Sequence, residues 1–276
     1  MKRLLVIIPL LILMPSACII VQDSVTTSRP LEYQDFKNWQ KIPFTENKTH
    51  SGTKRTYQVD FDKLLLTIPL QTEIVPTNRR SRVEIIAPDK ILKRFLVEKD
   101  QGYLSLRFGE GATFFKPSEA SLKVYVNRLL LLQTEREVFF SQEMIQPQLD
   151  ILSSHHIEGD FRVDRLSIKT HKGGSYSGII RAAQLFLDAR DNSHIEVYGR
   201  VGLTEVNAGN LVSIDGKGLN TETAILSAKQ NAKIDIAVER HVKARASDQA
   251  QIKVFGTPNL TSDLMENENG QITLYQ

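Results

Sequence analysis

Cysteine is nearly missing from this chain: one residue, Cys18, in 276. An intrachain disulfide is therefore impossible, and a zinc or iron–sulfur site built from several thiolates is excluded. Charge of one sign is also missing. The formal net charge is +3, with no basic excess of the kind a nucleic-acid binder carries. No serine-nucleophile elbow and no phosphate-cradling glycine loop occur, since Gly173-Gly174 and Gly199 to Gly202 are isolated turn signals. The glycine-rich calcium nonapeptide of some β-solenoids is absent too. Amphipathic helical spacing of 10–15 residues is not found between the apolar alternations described below. Apolar residues still make up 41% of the chain, enough for one sizeable core or two small ones.

One hydrophobic run stands out. Lys2 and Arg3 precede an uncharged stretch from Leu4 to Val21. A short positive region followed by an apolar stretch has the layout of a secretory signal. Setting aside Lys2 and Arg3 takes the 35 Lys and Arg to 33, against 32 Asp and Glu. Electrostatic steering is then a weak argument for any partner. Cys18 closes the run after Pro15-Ser16-Ala17. Those residues resemble a bacterial lipobox, in which small residues precede a cysteine that is lipidated; Pro15 stands where that pattern has Leu. Three alternatives stay open: a lipoprotein with Cys18 as the attachment site, a cleaved signal without lipid, and an uncleaved anchor near the minimum length for crossing a bilayer. Each places the remainder outside the cytoplasm, in the periplasm or at the outer membrane or cell surface, because Lys2 and Arg3 stay inside.

The body of the chain repeats. Ala189, Ala208, Ala228 and Ala246 serve as anchors, and six residues after each comes Ile195, Ile214, Ile234 or Ile252. Two residues further come Val197, Gly216, Ile236 and Val254. Two before the anchors are Leu187, Val206, Leu226 and Ala244. The frame extends upstream to Thr170, Ser153 and Thr134, and from Thr134 onward successive anchors lie 19, 17, 19, 19, 20 and 18 residues apart. Intervening positions are polar, so each repeat holds two stretches of period-two alternation, which is strand periodicity. Between them lie Arg190-Asp191-Asn192, Gly209-Asn210, Gln230-Asn231 and Asp248-Gln249, residues that accept left-handed turns. Equal short repeats of two or three strands fit a parallel β-solenoid, with coils of about 19 residues stacked roughly 4.8 Å apart. The anchor alanines suit a sharp corner.

The predicted organisation follows. Residues 1–22 are a signal peptide, lipoprotein signal or anchor. Residues 23–55, which include the only tryptophan, Trp39, are a polar leader. Residues 56–128 are irregular first coils or a β-rich cap, 129–256 are regular coils, and 257–276 are a C-terminal cap or tail. An uncapped solenoid end is an unpaired sheet edge.

Phe61-Asp62-Lys63-Leu64, Val83-Glu84-Ile85 and Gly102-Tyr103-Leu104-Ser105-Leu106 resemble the opening strands of the auto-transporter adhesin head, or GIN, domain family of exported bacterial proteins. Leu187-Asp188-Ala189 followed by Ile195-Glu196-Val197, and Leu226-Ser227-Ala228 followed by Ile234-Asp235-Ile236, resemble its repeats. Val254-Phe255-Gly256-Thr257-Pro258 is similar to its closing strand. The resemblance covers about residues 60–270. Here the turns after the anchors carry Arg190, Gly209, Lys229 and Ser247 where members often have Ser-Gly. It implies an all-β fold, a single-stranded right-handed parallel β-helix. It also implies an exported, often lipid-anchored protein with an adhesive surface role. The family has no agreed catalytic residues, so no catalytic, cofactor or metal residue is carried over.

Candidate chemistry is sparse. Histidines stand at 50, 155, 156, 171, 194 and 241. His155 and His156 point to opposite faces of a strand and cannot share a metal without a bulge. Glu196, Asp215 and Asp235 share one outward column. Their repulsion could be relieved by a divalent cation, or more simply by Lys233 and Lys253. Some exported polysaccharide lyases and hydrolases place acids and bases in an outward groove of a β-helix. Asp188, Asp191, Glu205 and Arg245 could be arranged so, although no spacing selects them. The outward columns show no apolar patch. The expected function is a non-enzymatic cell-envelope binding module for a surface partner or glycan, held to the membrane by its N-terminal lipid or anchor. An exported carbohydrate-active enzyme is the alternative.

Overall fold

The computed structural model describes residues 36–50, 52–109 and 117–275. The chain there is almost entirely β, wound as a solenoid of about seven turns of ~19 residues. All strands among the described residues join one sheet.

The winding follows the repeat. Met144–Ser153 pairs in parallel with Phe161–Thr170, which pairs with Ser175–Arg190. His194–Gly209, Ser213–Lys229 and Lys233–Ala246 follow, each parallel to the one before. The register places like on like. Ile195 faces Ile214, Ile214 faces Ile234, and Ile234 faces Ile252. All four are at most 2% exposed. The anchor alanines stack in the same way, Ala189 on Ala208 on Ala228 on Ala246. Polar residues are buried in the coils as well, among them Thr204 and Thr221, whose hydroxyls meet at 2.9 Å. A buried hydroxyl with a partner avoids most of the desolvation cost.

The turns fall on the expected polar residues, except that the Gly209-Asn210 turn is shifted by one residue onto Asn210 and Leu211. Asp191 and Asn192, Asn210 and Leu211, Gln230 and Asn231, and Asp248 and Gln249 all have positive φ. The turns also stack by hydrogen bonding. The Asn192 amide donates to the Asn210 carbonyl at 3.0 Å, and the Leu211 amide donates to that of Gln230 at 3.0 Å. A second corner carries Gly199, with φ +115°. A Cβ there would lie 2.2 Å from the Ile180 carbonyl oxygen, so only glycine fits. Beyond Val201 the buried positions change phase, from Ile195, Val197 and Val201 to Thr204, Val206 and Ala208. That shift marks another bend, because outward and inward alternate strictly along a straight strand.

The N-terminal end is built differently. Lys63–Leu66 pairs in parallel with Leu131–Thr134 on one side and with Tyr103–Phe108 on the other. The strands between Arg82 and Val126 are therefore inserted between two windings in sequence, and Tyr103–Phe108 and Ser121–Val126 fold back over the outer edge of the first. Within this cap, Gly52–Gln58, Arg82–Ala87 and Ser121–Val126 are antiparallel neighbours. Phe95–Asp100 forms an antiparallel hairpin with Tyr103–Phe108. A single-turn helix, Asp89–Leu92, buries Ile91 and Leu92.

The stretch 23–55, read as a polar leader, contributes strands from Gln40 onward. Gln40–Lys41 pairs with Phe95–Asp100, and Thr45–Thr49 pairs with Gly52–Gln58. Thr45–Thr49 is exposed along its whole length, so an edge ribbon of polar residues gives no apolar alternation to read. Trp39 packs on Phe36, ring centroids 4.9 Å apart. At the other end, the strands of the stretch read as a cap or tail continue the winding. Asn259–Glu266 pairs in parallel with Lys233–Ala246, and Gln271–Tyr275 with Gln251–Phe255. No helix among the described residues is long and apolar enough to cross a membrane. The run Leu4–Val21, including Cys18, lies outside the described residues.

Candidate binding face and corner cleft

The outward side chains of the strand segments just after each Asn-type turn form a continuous face. One column runs His156, Ser175, His194, Ser213, Lys233 and Gln251. The next runs Glu158, Ser177, Glu196, Asp215, Asp235 and Lys253. Stacking fixes these ladders because inward neighbours on the same strands are locked in the core.

The acidic column exists as expected, but its counter-charge differs from expectation. Lys217 makes the ion pairs, at 3.0 Å to Asp215 and 3.9 Å to Asp235. Its ammonium is held above the ordinary lysine range, first by the hydrogen bond to Asp215. Lys217 lies in an irregularity where register shifts between Gly216 and Asn220, opposite the next coil. That bulge belongs to the 20-residue interval between anchors. Lys253 stacks directly after Asp235 in the column, as its spacing suggested.

Tyr198 stands beside the column. Its hydroxyl donates to the Glu196 carboxylate. That bond, more than the carboxylate's charge, raises the phenol's pKa. Its ring lies on the backbone of the next coil at Gly218, where an added Cβ would come within 2.4 Å of the ring. Tyr198 is 46% exposed, and Ile179, which pairs with it one coil earlier, is 36% exposed. An apolar strip therefore does line part of the face. It was missed because a bend in mid-strand interrupts the alternation.

The histidines do not gather. His156 Nδ1 lies 2.8 Å from Ser175 Oγ, while His155 Nδ1 lies 3.2 Å from Ser154 Oγ. His194 and His241 pair into different ladders. Burial, ahead of the nearby Lys172 charge, lowers the His171 pKa. Among the described residues, no group of three or more His, Cys, Asp and Glu could hold a metal ion.

The suggested enzyme residues are also dispersed. Asp188 pairs with Arg190 at 3.1 Å. Asp191 sits in a turn and accepts a hydrogen bond from Asn210 Nδ2 at 2.7 Å. Glu205 lies between Phe186 and Ile225 in one ladder, whereas Arg245 lies between Ser227 and Met265 in another. Acidic side chains gather elsewhere, at a shallow corner cleft of about 190 Å³ lined by Phe140, Glu143, Glu158, Gly159, Asp160 and Gly178. Glu143 receives Arg181 at 2.8 Å and Arg162 at 3.2 Å. Asp160 accepts the Ile179 amide at 2.9 Å. Two further coils upstream along the Glu196 column would have led to Glu158. No periodic signal marks Glu143, which follows the short strand Val138–Phe140.

The architecture defines a parallel β-solenoid with open, ladder-built faces. The chain belongs to the family described as "Putative auto-transporter adhesin, head GIN domain", whose match spans residues 60–258. Solved structures share the fold. One is a putative adhesin from Parabacteroides merdae, with TM-score 0.72 and 11% identity, covering 81% of this chain and 95% of that one. Another is a "Putative lipid binding protein" from Parabacteroides distasonis, with TM-score 0.68 and 14% identity, covering 81% and 97%. A putative adhesin from the same species has TM-score 0.67 and 13% identity, covering 78% and 95%. No curated protein matches the chain.

Proposed function

We propose that this protein is an exported cell-envelope binding module of adhesin type, without catalytic activity, that engages an extended partner or glycan along its outward ladders. The supporting observation is the continuous face in which polar, acidic and aromatic columns repeat at the coil spacing. A repeating ligand can meet the same side-chain pattern several times on such a surface, and weak contacts then add. Family membership supports the adhesive reading and a surface location. The N-terminal run and Cys18 support membrane attachment through a lipid or an anchor.

Two measurements test this reading. A glycan array run together with a reducing-end assay on the same purified protein should show binding and no new chain ends. Mass spectrometry of the mature N-terminus should find diacylglyceryl-Cys18; free Cys18 or intact Met1 would select the other attachment modes. The corner cleft favours a second reading, an exported carbohydrate-active enzyme, because it puts Glu158 and Asp160 beside the Glu143–Arg181 pair. Release of reducing ends that disappears in Glu158→Gln would establish that reading instead.

A further inference from the structure

The side of the solenoid just past the Gly199 corner carries a ladder of one residue type. Arg162 faces Arg181, and Arg181 faces Arg200, in successive coils. Three guanidinium groups at the coil interval repel one another, and their side chains remain 56%, 51% and 70% exposed. Neutralisation is incomplete. Glu143 serves both Arg162 and Arg181. Arg200 only approaches Glu222, at 3.9 Å, and Glu222 also faces Arg240 at 3.6 Å.

The surroundings single out Arg181 and Arg200. Two residues past Arg162 is Asp164, and beyond Arg200 the ladder passes to Asn220, with Glu222 two residues further on, so acids flank both ends. Two residues past Arg181 and Arg200 come Ala183 and Gly202, which carry no charge and little bulk. Two residues before them come Ile179 and Tyr198. The nearest acids on that flank are engaged: Glu196 by the Tyr198 hydroxyl and Asp160 by the Ile179 amide. Tyr198 is backed by the next coil at Gly218 and remains half exposed, so it offers a fixed aromatic surface.

We propose that Tyr198, Arg181 and Arg200 form a binding site for an acidic glycan, a chain bearing uronate carboxylates. The electron-rich ring face suits the C–H side of a sugar ring. Each guanidinium has five donors in a planar fork that matches a carboxylate, and few of them are used here. The ladder places those forks on successive coils, one for each acidic sugar of an extended chain. Nucleic acid and anionic lipid surfaces fit less well, since they favour a broad basic field and this ladder is bounded by acids at both ends. This inference rests on the reading of the protein as a glycan-binding module and names the ligand class.

The test uses the full chain in detergent micelles, titrated with polygalacturonate, with the same polymer after carboxyl reduction, and with inorganic polyphosphate, a soluble chain of phosphate charges. Polygalacturonate should bind at least ~10-fold more tightly than the reduced polymer or the polyphosphate. Arg181→Gln with Arg200→Gln should lose ~10-fold or more for polygalacturonate and little for the reduced polymer, with thermal unfolding unchanged because both side chains are exposed. Tyr198→Ala should weaken both polymers by ~3–10-fold, a loss of about 1 kcal/mol in stacking. Equal binding of polygalacturonate and the reduced polymer, polyphosphate binding as tight as polygalacturonate, no polygalacturonate binding, or an unaffected double variant would each overturn the site. Binding to other array glycans would then leave the adhesin-type reading standing, whereas an array with no binder would remove that reading as well.

Discussion

The coils from Ser175 to Ala246 and the N-terminal cap, with its strands Gly52–Gln58, Arg82–Ala87, Phe95–Asp100, Tyr103–Phe108 and Ser121–Val126, bury apolar surface in different ways. In the coils, one arrangement is reused. The anchor alanines and the isoleucines Ile195, Ile214 and Ile234 each lie on their equivalents one winding away, and the strands are parallel throughout. In the cap, every contact is made once. Its strands are largely antiparallel, and side chains from distant parts of the sequence close it. Glu84, for example, receives Lys54 at 2.8 Å and Arg82 at 2.8 Å, and Arg82 lies 3.5 Å over the Tyr125 ring. A repeated unit needs its neighbours, because no winding buries its own interior. A cap must instead end the sheet, so it cannot repeat.

This contrast is most exposed to failure at the interior ladder. Ile214→Asp places an unpaired carboxylate at a site 2% exposed and should cost about 4 kcal/mol or more. Amide exchange should rise in the windings on both sides of it. The equivalent insult in the cap, Ile85→Asp, should release exchange in Gly52–Val126 while Ser175–Ala246 stays protected. Equal loss of protection everywhere in both variants would erase the distinction between coils and cap.

Corner geometry gives the next effect. Gly199→Ala drives a Cβ to 2.2 Å from the Ile180 carbonyl oxygen and should cost about 3 kcal/mol in urea unfolding. Gly173 also has positive φ, +80°, but nothing lies within 4 Å of its added Cβ, so Gly173→Ala should cost only about 1 kcal/mol. Similar costs at the two positions would mean that close stacking of coils is not what demands Gly199.

The cap should also be the acid-sensitive part. Burial pushes the Glu84 carboxyl up, but hydrogen bonds and charge from Arg82 and Lys54 outweigh it and hold the pKa below the ordinary glutamate value. A carboxylate with a depressed folded pKa contributes stability above its unfolded pKa and loses that contribution as pH falls through the folded value. Exchange in the cap should therefore increase on acidification below the usual glutamate range, and Glu84→Gln should flatten that response. The smallest expected effect is a gain. Leu211 holds φ +62° while 56% exposed, so Leu211→Gly should relieve backbone strain and lose little burial, a net stabilisation of about 0.5 kcal/mol by thermal unfolding.

The same contrast explains what could be read in advance. The anchors and the isoleucine column are legible because they recur at a fixed interval, and recurrence is a property of sequence. The turns are legible because Asn, Asp and Gln tolerate left-handed backbone. The fold-back of Tyr103–Phe108 onto the outer edge of Lys63–Leu66 is not legible, since it depends on pairing between segments that share no pattern. Within the candidate face, the acidic column was visible and its partner Lys217 was hidden by the bulge. Arg162, Arg181 and Arg200 sit on a side of the coil where alternation has already been bent, so their alignment emerges only once the coils are stacked. Glu143 and the cleft require knowing which turn lies next to which corner.

Every inward and outward column depends on the stacking of equivalent side chains in successive windings, and isoleucine methyl NMR measures that stacking directly. With isoleucine δ-methyl labelling, nuclear Overhauser contacts should link Ile195 to Ile214, Ile214 to Ile234, and Ile234 to Ile252, with no direct contact between Ile195 and Ile252. A missing link between adjacent members, or a contact that joins Ile195 to Ile252, would contradict the wound ladder and every outward column derived from it.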